Sequence, residues 1–345
     1  MRTDGKGVRP RALGIRATRL ARDSRRDVPA VCAPSPCGRI PSSRRRFVAC
    51  ILALAFLGGC GGKAPGGSKP ELIFGQTGLG PGDFSYPRAI AIAPDGCVFV
   101  IDKTARVQRF SPQGRYEHGW RMPEWEAGKP TGITVDPRGR LLIADTHYHR
   151  VMIYDREGTL LGRFGERGSG PGQFEFPTAV AVDGDGFLYV SEYGGNDRIS
   201  KFTPDYRFVM SFGGPDAGEA SLLRPESLDF DAEQTLWVAD ACHHRLCRFS
   251  REGKLLSTAG REGSGAGQLR YPYCVRVCRD GNLLVTEFGN NRVQMLTPQG
   301  RSLWTWGTAG HDPGQLAYPW AAATSPDGRV YVVDSGNNRI QVFRL

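Results

Sequence analysis

Two short segments place histidines where a metal ion or a catalytic base could be held. Residues 144–155 read ADTHYHRVMIYD and residues 239–250 read ADACHHRLCRFS, which adds a cysteine to the second histidine pair. Imidazole nitrogens and thiolates are preferred ligands of zinc and related transition metals. The sequence alone therefore gives a set of candidate metal ligands, at one shared site or within one turn: His147, His149, Cys242, His243 and His244.

Both segments lie inside a sequence that repeats six times. Each copy opens on a proline, and successive prolines are separated by 43, 47, 48, 47 and 47 residues: Pro87, Pro130, Pro177, Pro225, Pro272 and Pro319. The second copy reads PTGITVDPRGRLLIADTHYHRVMIYDREGTLLGRFG and the fifth reads PYCVRVCRDGNLLVTEFGNNRVQMLTPQGRSLWTWG. Within each copy, short β-rich runs alternate with Gly-containing turns, which is typical of strands joined by hairpins.

Four strands in each repeat of about 40–50 residues are the signature of propeller blades. The sixth copy ends after its third strand, and the segment at 71–87 supplies the missing fourth, because Phe74 precedes Pro87 by the 13 residues seen in later connections. Closing the ring in this way removes an open sheet edge. The sequence therefore predicts an all-β, six-bladed propeller over 71–345, with four antiparallel strands per blade.

An acidic residue ends the second strand of every copy, and an arginine opens the third. Because a catalytic site is needed once and this pair recurs in every blade, we interpret it as a structural clasp rather than a ring of catalytic carboxylates. The pairs are Asp102 and Arg106, Asp145 and Arg150, Glu192 and Arg198, Asp240 and Arg245, Glu287 and Arg292, and Asp334 and Arg339.

The candidate metal ligands occupy the turn between these two clasp residues. Residues 289–291 and 336–338 read Gly-Asn-Asn at the same place, and Asn and His both tolerate the left-handed backbone conformation that a tight turn needs. The second and fourth blades are not neighbours in a six-bladed ring. The pattern therefore favours turn chemistry over one shared metal ion.

Repeats of this form, P-x-x-[VIL]-x-[VI] followed by DG, [DE]-x4-R-[VI] and G, resemble NHL repeats across essentially all of 71–345. The resemblance implies a binding platform for protein or RNA. A minority of six-bladed relatives are enzymes, namely zinc-dependent peptidyl-α-hydroxyglycine lyases, calcium lactonases and strictosidine-synthase-like proteins. No cofactor is expected from the residues, and zinc or calcium enters only with the enzyme alternative.

One connection departs from the repeat. Residues 119–130 read GWRMPEWEAGKP, where the other connections carry Gly-rich sequence, and Trp and Arg are favoured anchors in interfaces. The alternative is a loop that simply packs against the ring. We expect a binding surface on the face that carries the histidines, formed by Trp120, Arg121, Met122, Trp125, Glu126, His147, Tyr148, His149, Tyr193, His243, His244 and Phe288.

Charge is concentrated in the leader. Residues 1–59 hold 13 basic and 3 acidic residues, whereas residues 60–345 hold 32 of each, so the net charge of +10 belongs to the leader. A neutral body has no basic footprint for a phosphate backbone, which disfavours nucleic-acid binding.

The leader resembles that of an exported lipoprotein. Three arginines precede an apolar run, Phe47–Leu57, that is too short to span a bilayer, and Leu57-Gly58-Gly59-Cys60 resembles a bacterial lipobox. Ser43–Val48 resembles a twin-arginine motif, so the export route stays open. We predict a signal peptide at 1–59, with translation starting nearer Val28 or Val31, lipidation at Cys60 and a flexible tether at 60–70.

These observations together predict a monomeric, membrane-anchored lipoprotein facing the periplasm or the cell exterior. Its propeller is expected to bind a protein, peptide or glycan without catalysing a reaction. The membrane is contacted only through Cys60. The alternative is a metal-dependent propeller enzyme, either a peptidyl-hydroxyglycine-lyase-like protein or a lactonase-like hydrolase.

Overall fold

The computed structural model describes residues 69–344. The predicted signal peptide, Cys60 and nearly all of the tether lie outside the described residues. The described chain forms six four-stranded antiparallel sheets, and in five of them the strands follow one another in chain order. Each copy of the sequence repeat is therefore one blade, and the predicted six-bladed propeller is confirmed.

The strands in chain order are β1 (Leu72–Phe74); β2 (Pro87–Ile92), β3 (Val98–Asp102), β4 (Arg106–Phe110) and β5 (Tyr116–Arg121) in blade 1; β6 (Gly132–Val135), β7 (Leu141–Asp145), β8 (Arg150–Tyr154) and β9 (Leu160–Phe164) in blade 2; β10 (Phe176–Val182), β11 (Leu188–Tyr193), β12 (Arg198–Phe202) and β13 (Phe208–Phe212) in blade 3; β14 (Pro225–Phe230), β15 (Leu236–Asp240), β16 (Arg245–Phe249) and β17 (Leu255–Ala259) in blade 4; β18 (Pro272–Val277), β19 (Leu283–Glu287), β20 (Arg292–Leu296) and β21 (Ser302–Trp306) in blade 5; β22 (Thr308–Ala309) and β23 (Gln315–Leu316) in the next connection; and β24 (Ala322–Thr324), β25 (Arg329–Asp334) and β26 (Arg339–Arg344) in blade 6. Short 3-10 helices lie at Thr146–Tyr148, Gly218–Ala220, Ala241–His243 and Ser335–Asn337. Within residues 69–344, no helix is long and apolar enough to cross a membrane.

The N-terminal strand closes the ring. β1 pairs antiparallel with β26, with Leu72 opposite Val342 and Phe74 opposite Ile340, and the last sheet has the order β1-β26-β25-β24. The outer strand of blade 6 thus comes from the opposite end of the described chain, as the 13-residue spacing predicts. Pairing at this seam leaves no open edge between the two ends.

Hairpin turns are stabilised locally by the residues the sequence places there. In blade 2, Asp136 Oδ1 accepts the backbone N–H groups of Arg138 and Arg140 at 2.9 and 2.8 Å. Gly139 follows with φ +77°, a conformation that glycine adopts without steric cost. This turn chemistry fixes the register of β6 against β7 and so decides which side chains enter the core.

The core lies between the blades. All five residues of β3, β7, β15 and β19 are buried, because each of these strands is covered by a neighbouring blade on both faces. The outer strand β9, by contrast, has no fully buried position. Each fully buried Val, Leu, Ile or Phe contributes about 1.5–3 kcal/mol to folding. Stability is therefore distributed around the ring.

The six inner strands, β2, β6, β10, β14, β18 and β24, surround a central channel. Where they begin, which we call the channel mouth, the channel narrows to a void of about 20 Å³ lined by Thr131, Glu226, Tyr273 and Trp320, among others. Where they end, it widens to an open cavity of about 380 Å³ with mainly apolar walls. The turns that carry the histidines are on the mouth side.

Candidate ligand site at the channel mouth

The recurring acid and arginine lie together in all six blades. Their nitrogen–oxygen distances run from 2.6 to 2.8 Å, for Asp102 and Arg106, Asp145 and Arg150, Glu192 and Arg198, Asp240 and Arg245, Glu287 and Arg292, and Asp334 and Arg339. Each carboxylate is almost completely buried, which makes its arginine the compensating charge.

The same arginine also binds the connection that enters its blade. Arg292 Nη1 and Nη2 donate to the carbonyl oxygens of Ser264, Gly265 and Gln268 at 2.7–2.9 Å. Glu287 in turn accepts the N–H of Arg270 at 3.0 Å. One ion pair therefore joins the turn between two strands to the preceding blade-to-blade connection.

The last residue of the turn forms a hydrogen bond that connects its blade to the next one. His244, Asn291 and Asn338 share a left-handed conformation, with φ between 51° and 55°. The His244 Nδ1 accepts the N–H of Tyr271 at 3.0 Å, and the Asn291 Oδ1 accepts the N–H of Tyr318 at 2.7 Å. These acceptors face the residue before the repeat proline of the following blade. His244 therefore does what asparagine does in its sister blades.

The other histidines are also held by local contacts. His243 Nδ1 lies 2.8 Å from Oδ2 of the clasp residue Asp240. The rings of His147 and His149 pack on Phe176, with centroids 5.7 and 5.2 Å apart. Burial, with the nearby positive charges of Lys129 and Arg88, lowers the pKa of His147 to about 4, so it is neutral at pH 7.

The structure does not bring the candidate metal ligands together. Among residues 69–344, no three His, Cys, Asp or Glu side chains are arranged to hold a metal ion. Cys242 lies in the helix Ala241–His243, and Cys247 is a buried thiol whose pKa burial raises to about 12. In blade 2 the histidines contact an aromatic ring instead of further ligands.

The irregular connection at 119–130 is only partly available to a partner. Trp120 packs on Tyr154 in the space between blades 1 and 2, at a centroid distance of 5.8 Å, and Met122 is buried. Trp125 remains 40% exposed, with the Arg121 guanidinium 4.3 Å above its ring.

Tyr148 links this connection to the blade 2 turn. Its hydroxyl accepts the N–H of Ala127 at 3.3 Å, and the Arg150 guanidinium lies 4.9 Å from the centre of its ring. Glu126 is exposed. Of the predicted anchors in this connection, only Trp125 offers a large apolar surface to solvent.

Tyr193 and Phe288 belong instead to a cluster at the channel mouth. The Arg224 guanidinium lies 5.0 Å from the Tyr193 ring centre and 5.5 Å from that of Tyr273, and its Nε donates to Glu226 Oε1 at 2.5 Å. Burial alone would lower the pKa of Arg224, but the neighbouring Glu226 carboxylate raises it. Arg224 is therefore charged in the folded protein.

Aromatic rings continue around the mouth from blade 5 to blade 1. Tyr273 stacks on Phe288 at 4.5 Å and meets Trp320 edge-on at 5.0 Å, while Phe288 lies 5.2 Å from Tyr318. Tyr86 completes the arc, 5.9 Å from Trp320. Trp320 and Tyr273 are buried, and Tyr318 is 53% exposed. The result is an arc of aromatic rings that is buried at Tyr273 and Trp320 and open to solvent at Tyr318.

Arg88 stands at the end of this arc. Its guanidinium lies 4.7 Å from the Trp320 ring centre and 5.8 Å from that of Tyr86. Burial lowers the pKa of Arg88, partly offset by Tyr86 and Glu226. Throughout residues 69–344, no carboxylate oxygen lies within 4.0 Å of this guanidinium, so its charge is not neutralised by an ion pair.

Most of these mouth residues are not among those predicted from the sequence. Tyr86, Arg88, Arg224, Glu226, Tyr273 and Trp320 were missed, although the repeat contains a signal for four of them. The residue directly after each repeat proline varies in type between blades, whereas the residue two positions further on is always aliphatic. The residues directly after the prolines are Arg88, Thr131, Thr178, Glu226, Tyr273 and Trp320.

Comparison with known protein families supports the repeat assignment. The model of the NHL repeat matches residues 128–154 and 316–343, which fall in blades 2 and 6. The chain carries NHL repeats and folds as a six-bladed β-propeller. The resemblance noted from the sequence is thereby confirmed.

Curated relatives of this NHL propeller include both a protein named for its repeats and an enzyme. Mouse NHL repeat-containing protein 3 is 30% identical over 169 residues, which are 44% of this chain and 48% of the relative. Rat peptidylglycine alpha-amidating monooxygenase is 35% identical over 156 residues, 44% of this chain and 14% of the relative. The chain thus spans less than half the length of either protein.

Solved structures share the fold at low sequence identity. The virginiamycin B lyase of Staphylococcus aureus superposes with a TM-score of 0.56 at 16% identity, covering 81% of this chain and 96% of that one. At this identity the likeness shows that both are propellers. Whether this propeller binds or catalyses must be argued from its own residues.

Proposed function

We propose that this NHL propeller is a lipid-anchored, extracytoplasmic binding module that takes its ligand at the channel mouth. The lipobox-like sequence before Cys60 and the Gly-rich tether support the anchor. The neutral body supports a ligand other than nucleic acid. In this proposal the partner is a protein, a peptide or a glycan, and the propeller acts as a monomer without a cofactor.

One observation carries the choice of site. At the mouth, two arginines, a buried glutamate and six aromatic rings from blades 1, 3, 5 and 6 converge. Ligand sites in proteins combine apolar and aromatic walls with a few placed polar groups, and the mouth has this composition. The clasp and turn residues, by contrast, are accounted for by blade structure.

The test is a binding survey with matched variants. Full-length protein, purified in mild detergent, is applied to arrays of defined peptides and glycans. Tyr193→Ala is compared with Tyr116→Ala, whose tyrosine is exposed on the outer strand β5. We expect every ligand of the wild type to lose at least tenfold in affinity with Tyr193→Ala and to keep its affinity with Tyr116→Ala.

Two results would contradict this proposal. Ligands that bind both variants equally well would place recognition away from the mouth, and a parallel Trp125→Ala variant would then locate it at the 119–130 connection. Stoichiometric zinc or calcium in tag-free protein, together with turnover of a lactone or a peptidyl-hydroxyglycine, would instead establish the enzyme alternative.

The anchor is tested separately. Cells that produce the wild type or Cys60→Ser are labelled with a clickable fatty acid and fractionated. We expect the label and membrane association to disappear together in the variant. A labelled Cys60→Ser protein, or an unlabelled wild type, would remove the lipid anchor from the proposal.

A further inference from the structure

The mouth contains a cation whose charge is not balanced by the residues around it. The only hydrogen bond from the Arg88 guanidinium within residues 69–344 runs from Nη1 to the Lys129 carbonyl oxygen, at 3.4 Å. Its Nε is buried without a partner there. Buried ionised groups are normally paired, because removing a lone charge from water is costly.

Other arginines of the same propeller show what a satisfied guanidinium looks like here. Arg224, which is also at the channel mouth, donates to Glu226 at 2.5 Å. Arg292 makes four strong hydrogen bonds of 2.6–2.9 Å. Arg88 makes none of comparable length. Its cation is held instead against the faces of Tyr86 and Trp320, an attraction that still leaves the N–H edge available.

The charged residues around the channel mouth limit the charge of the ligand that Arg88 can bind. Arg88, Arg224 and Lys129 are cationic, while Glu226 and Asp197 are anionic, so these five residues leave one net positive charge. A monoanion matches this balance. A phosphate dianion would face the Glu226 carboxylate with too few cations to compensate.

The aromatic wall beside Arg88 indicates the body of the ligand. Trp320 lies directly under the guanidinium, and Phe288, 5.8 Å from Trp320, continues the surface to the exposed ring of Tyr318. Aromatic rings favour stacked or edge-on contacts with other aromatic rings. A planar ring on this wall places a carboxylate attached to it next to Arg88.

We propose that the channel mouth binds an aromatic carboxylate, with the carboxylate on Arg88 and the ring against Phe288 and Tyr318. The inference rests on the proposed binding function and names the chemistry that the site recognises. Guanidinium and carboxylate match each other's fork geometry, which suits a single arginine to this role. Two sources share this chemistry, a free aromatic acid and the carboxyl-terminal aromatic residue of a peptide.

The test measures binding of the full-length protein by calorimetry at low salt. The probes are N-acetyl-phenylalanine and its amide, 4-hydroxyphenylacetate, and one peptide ending in phenylalanine with either a free or an amidated terminus. We expect each carboxylate to bind at least tenfold more tightly than its amide. Comparable binding of both small acids and the peptide assigns a free acid, whereas a tenfold advantage for the peptide assigns a peptide terminus.

Variants separate recognition from folding. Arg88→Met should lose at least tenfold in carboxylate affinity and Arg88→Lys should lose less, because Lys keeps the charge but not the fork. Arg138→Met is the matched control, since Arg138 is exposed in a turn on the opposite face, and it should bind as the wild type does. Unchanged melting curves establish that each variant is folded.

Equal affinity for acid and amide, or undiminished binding by folded Arg88→Met, would overturn the aromatic-carboxylate proposal. If the affinity of the array ligands still falls with Tyr193→Ala, the proposed binding function at the mouth is retained in that case. If no carboxylate binds and no array ligand depends on Tyr193, both proposals fall together.

Discussion

Two positions of the repeat are used in opposite ways. The acid–arginine position is filled in all six blades by an arginine and a carboxylate, which comes from Asp in four blades and from Glu in two, with nitrogen–oxygen distances of 2.6–2.8 Å. The position after the repeat proline is filled by an arginine, two threonines, a glutamate, a tyrosine and a tryptophan. The acid and arginine contact each other and the connection that enters their blade. The residue after the proline faces other blades at the channel mouth.

This difference shows where function resides in a repeat protein. A residue that every blade needs is fixed by blade structure, so its presence says little about ligands. A position whose residue type varies between blades is free of that demand, and its side chain is available for recognition. Histidines in the turns fall on the structural side of this division, although histidine is the residue type most often associated with catalysis and metals.

Breaking one clasp should produce the largest loss of stability. Arg292→Ala would leave the fully buried Glu287 without its compensating cation, and removing one partner of a buried pair costs about 3–5 kcal/mol. Urea unfolding monitored by tryptophan fluorescence measures the change. Arg301→Ala, at an exposed turn of the same blade, is the control and should stay within about 0.5 kcal/mol. A loss below about 1 kcal/mol for Arg292→Ala would show that the pair is not a structural clasp.

The blade 4 turn gives a smaller effect and a direct test of whether its histidine replaces asparagine. His244→Ala removes the acceptor of the Tyr271 N–H and places alanine at φ +55°, so we expect a loss of about 2 kcal/mol. His244→Asn preserves both features and should change stability by less than about 0.5 kcal/mol. Equal losses in the two variants would show that the imidazole has a role that asparagine does not share.

Features of the fold that recur in every blade could be predicted from the sequence, whereas features that occur once could not. Spacing and turn chemistry predicted the six blades, the closure by β1 and the position of each clasp, because each recurs and can be aligned within one chain. The mouth residues occur once each. Arg88 and Trp320 are 232 positions apart in sequence, and only the closed ring brings the guanidinium to within 4.7 Å of the indole ring centre.

The irregular connection at 119–130 shows a second limit of prediction from the sequence. Its departure from the repeat was visible in the sequence, yet the sequence could not show that Trp120 fills the space between two blades while Trp125 remains 40% exposed. Packing of that kind depends on the shape left by neighbouring strands. The predicted binding surface at this connection stays a prediction.

The pH dependence of stability should separate the blade 2 turn from its sister turns. Histidine has a pKa of about 6.5 in the unfolded chain, and burial lowers the pKa of His147 to about 4 in the folded one. The neutral imidazole is therefore favoured by folding. This stabilisation is complete above about pH 6.5 and is lost as the pH falls towards 4, by about 1–2 kcal/mol once solvent screening is allowed for.

In the difference in unfolding free energy between wild type and His147→Gln, the contributions of the other titrating groups cancel. The unfolding free energies of the two proteins, taken from urea titrations between pH 4 and pH 8, should converge as the pH falls. Parallel curves across this range would mean that His147 titrates normally in the folded protein.

The smallest expected change in stability, and the one with the opposite sign, concerns Arg88. A clasp arginine stabilises the fold by compensating a buried carboxylate, but Arg88 has no such carboxylate within 4.0 Å in the described chain, and burial lowers its pKa. Arg88→Met keeps an unbranched side chain against Trp320 and removes the uncompensated charge. We therefore expect the unfolding free energy to stay constant or to rise by up to about 1 kcal/mol. A loss as large as that of Arg292→Ala would mean that Arg88 belongs with the structural arginines, and the contrast between the two repeat positions would then fail at the residue on which the proposed site most depends.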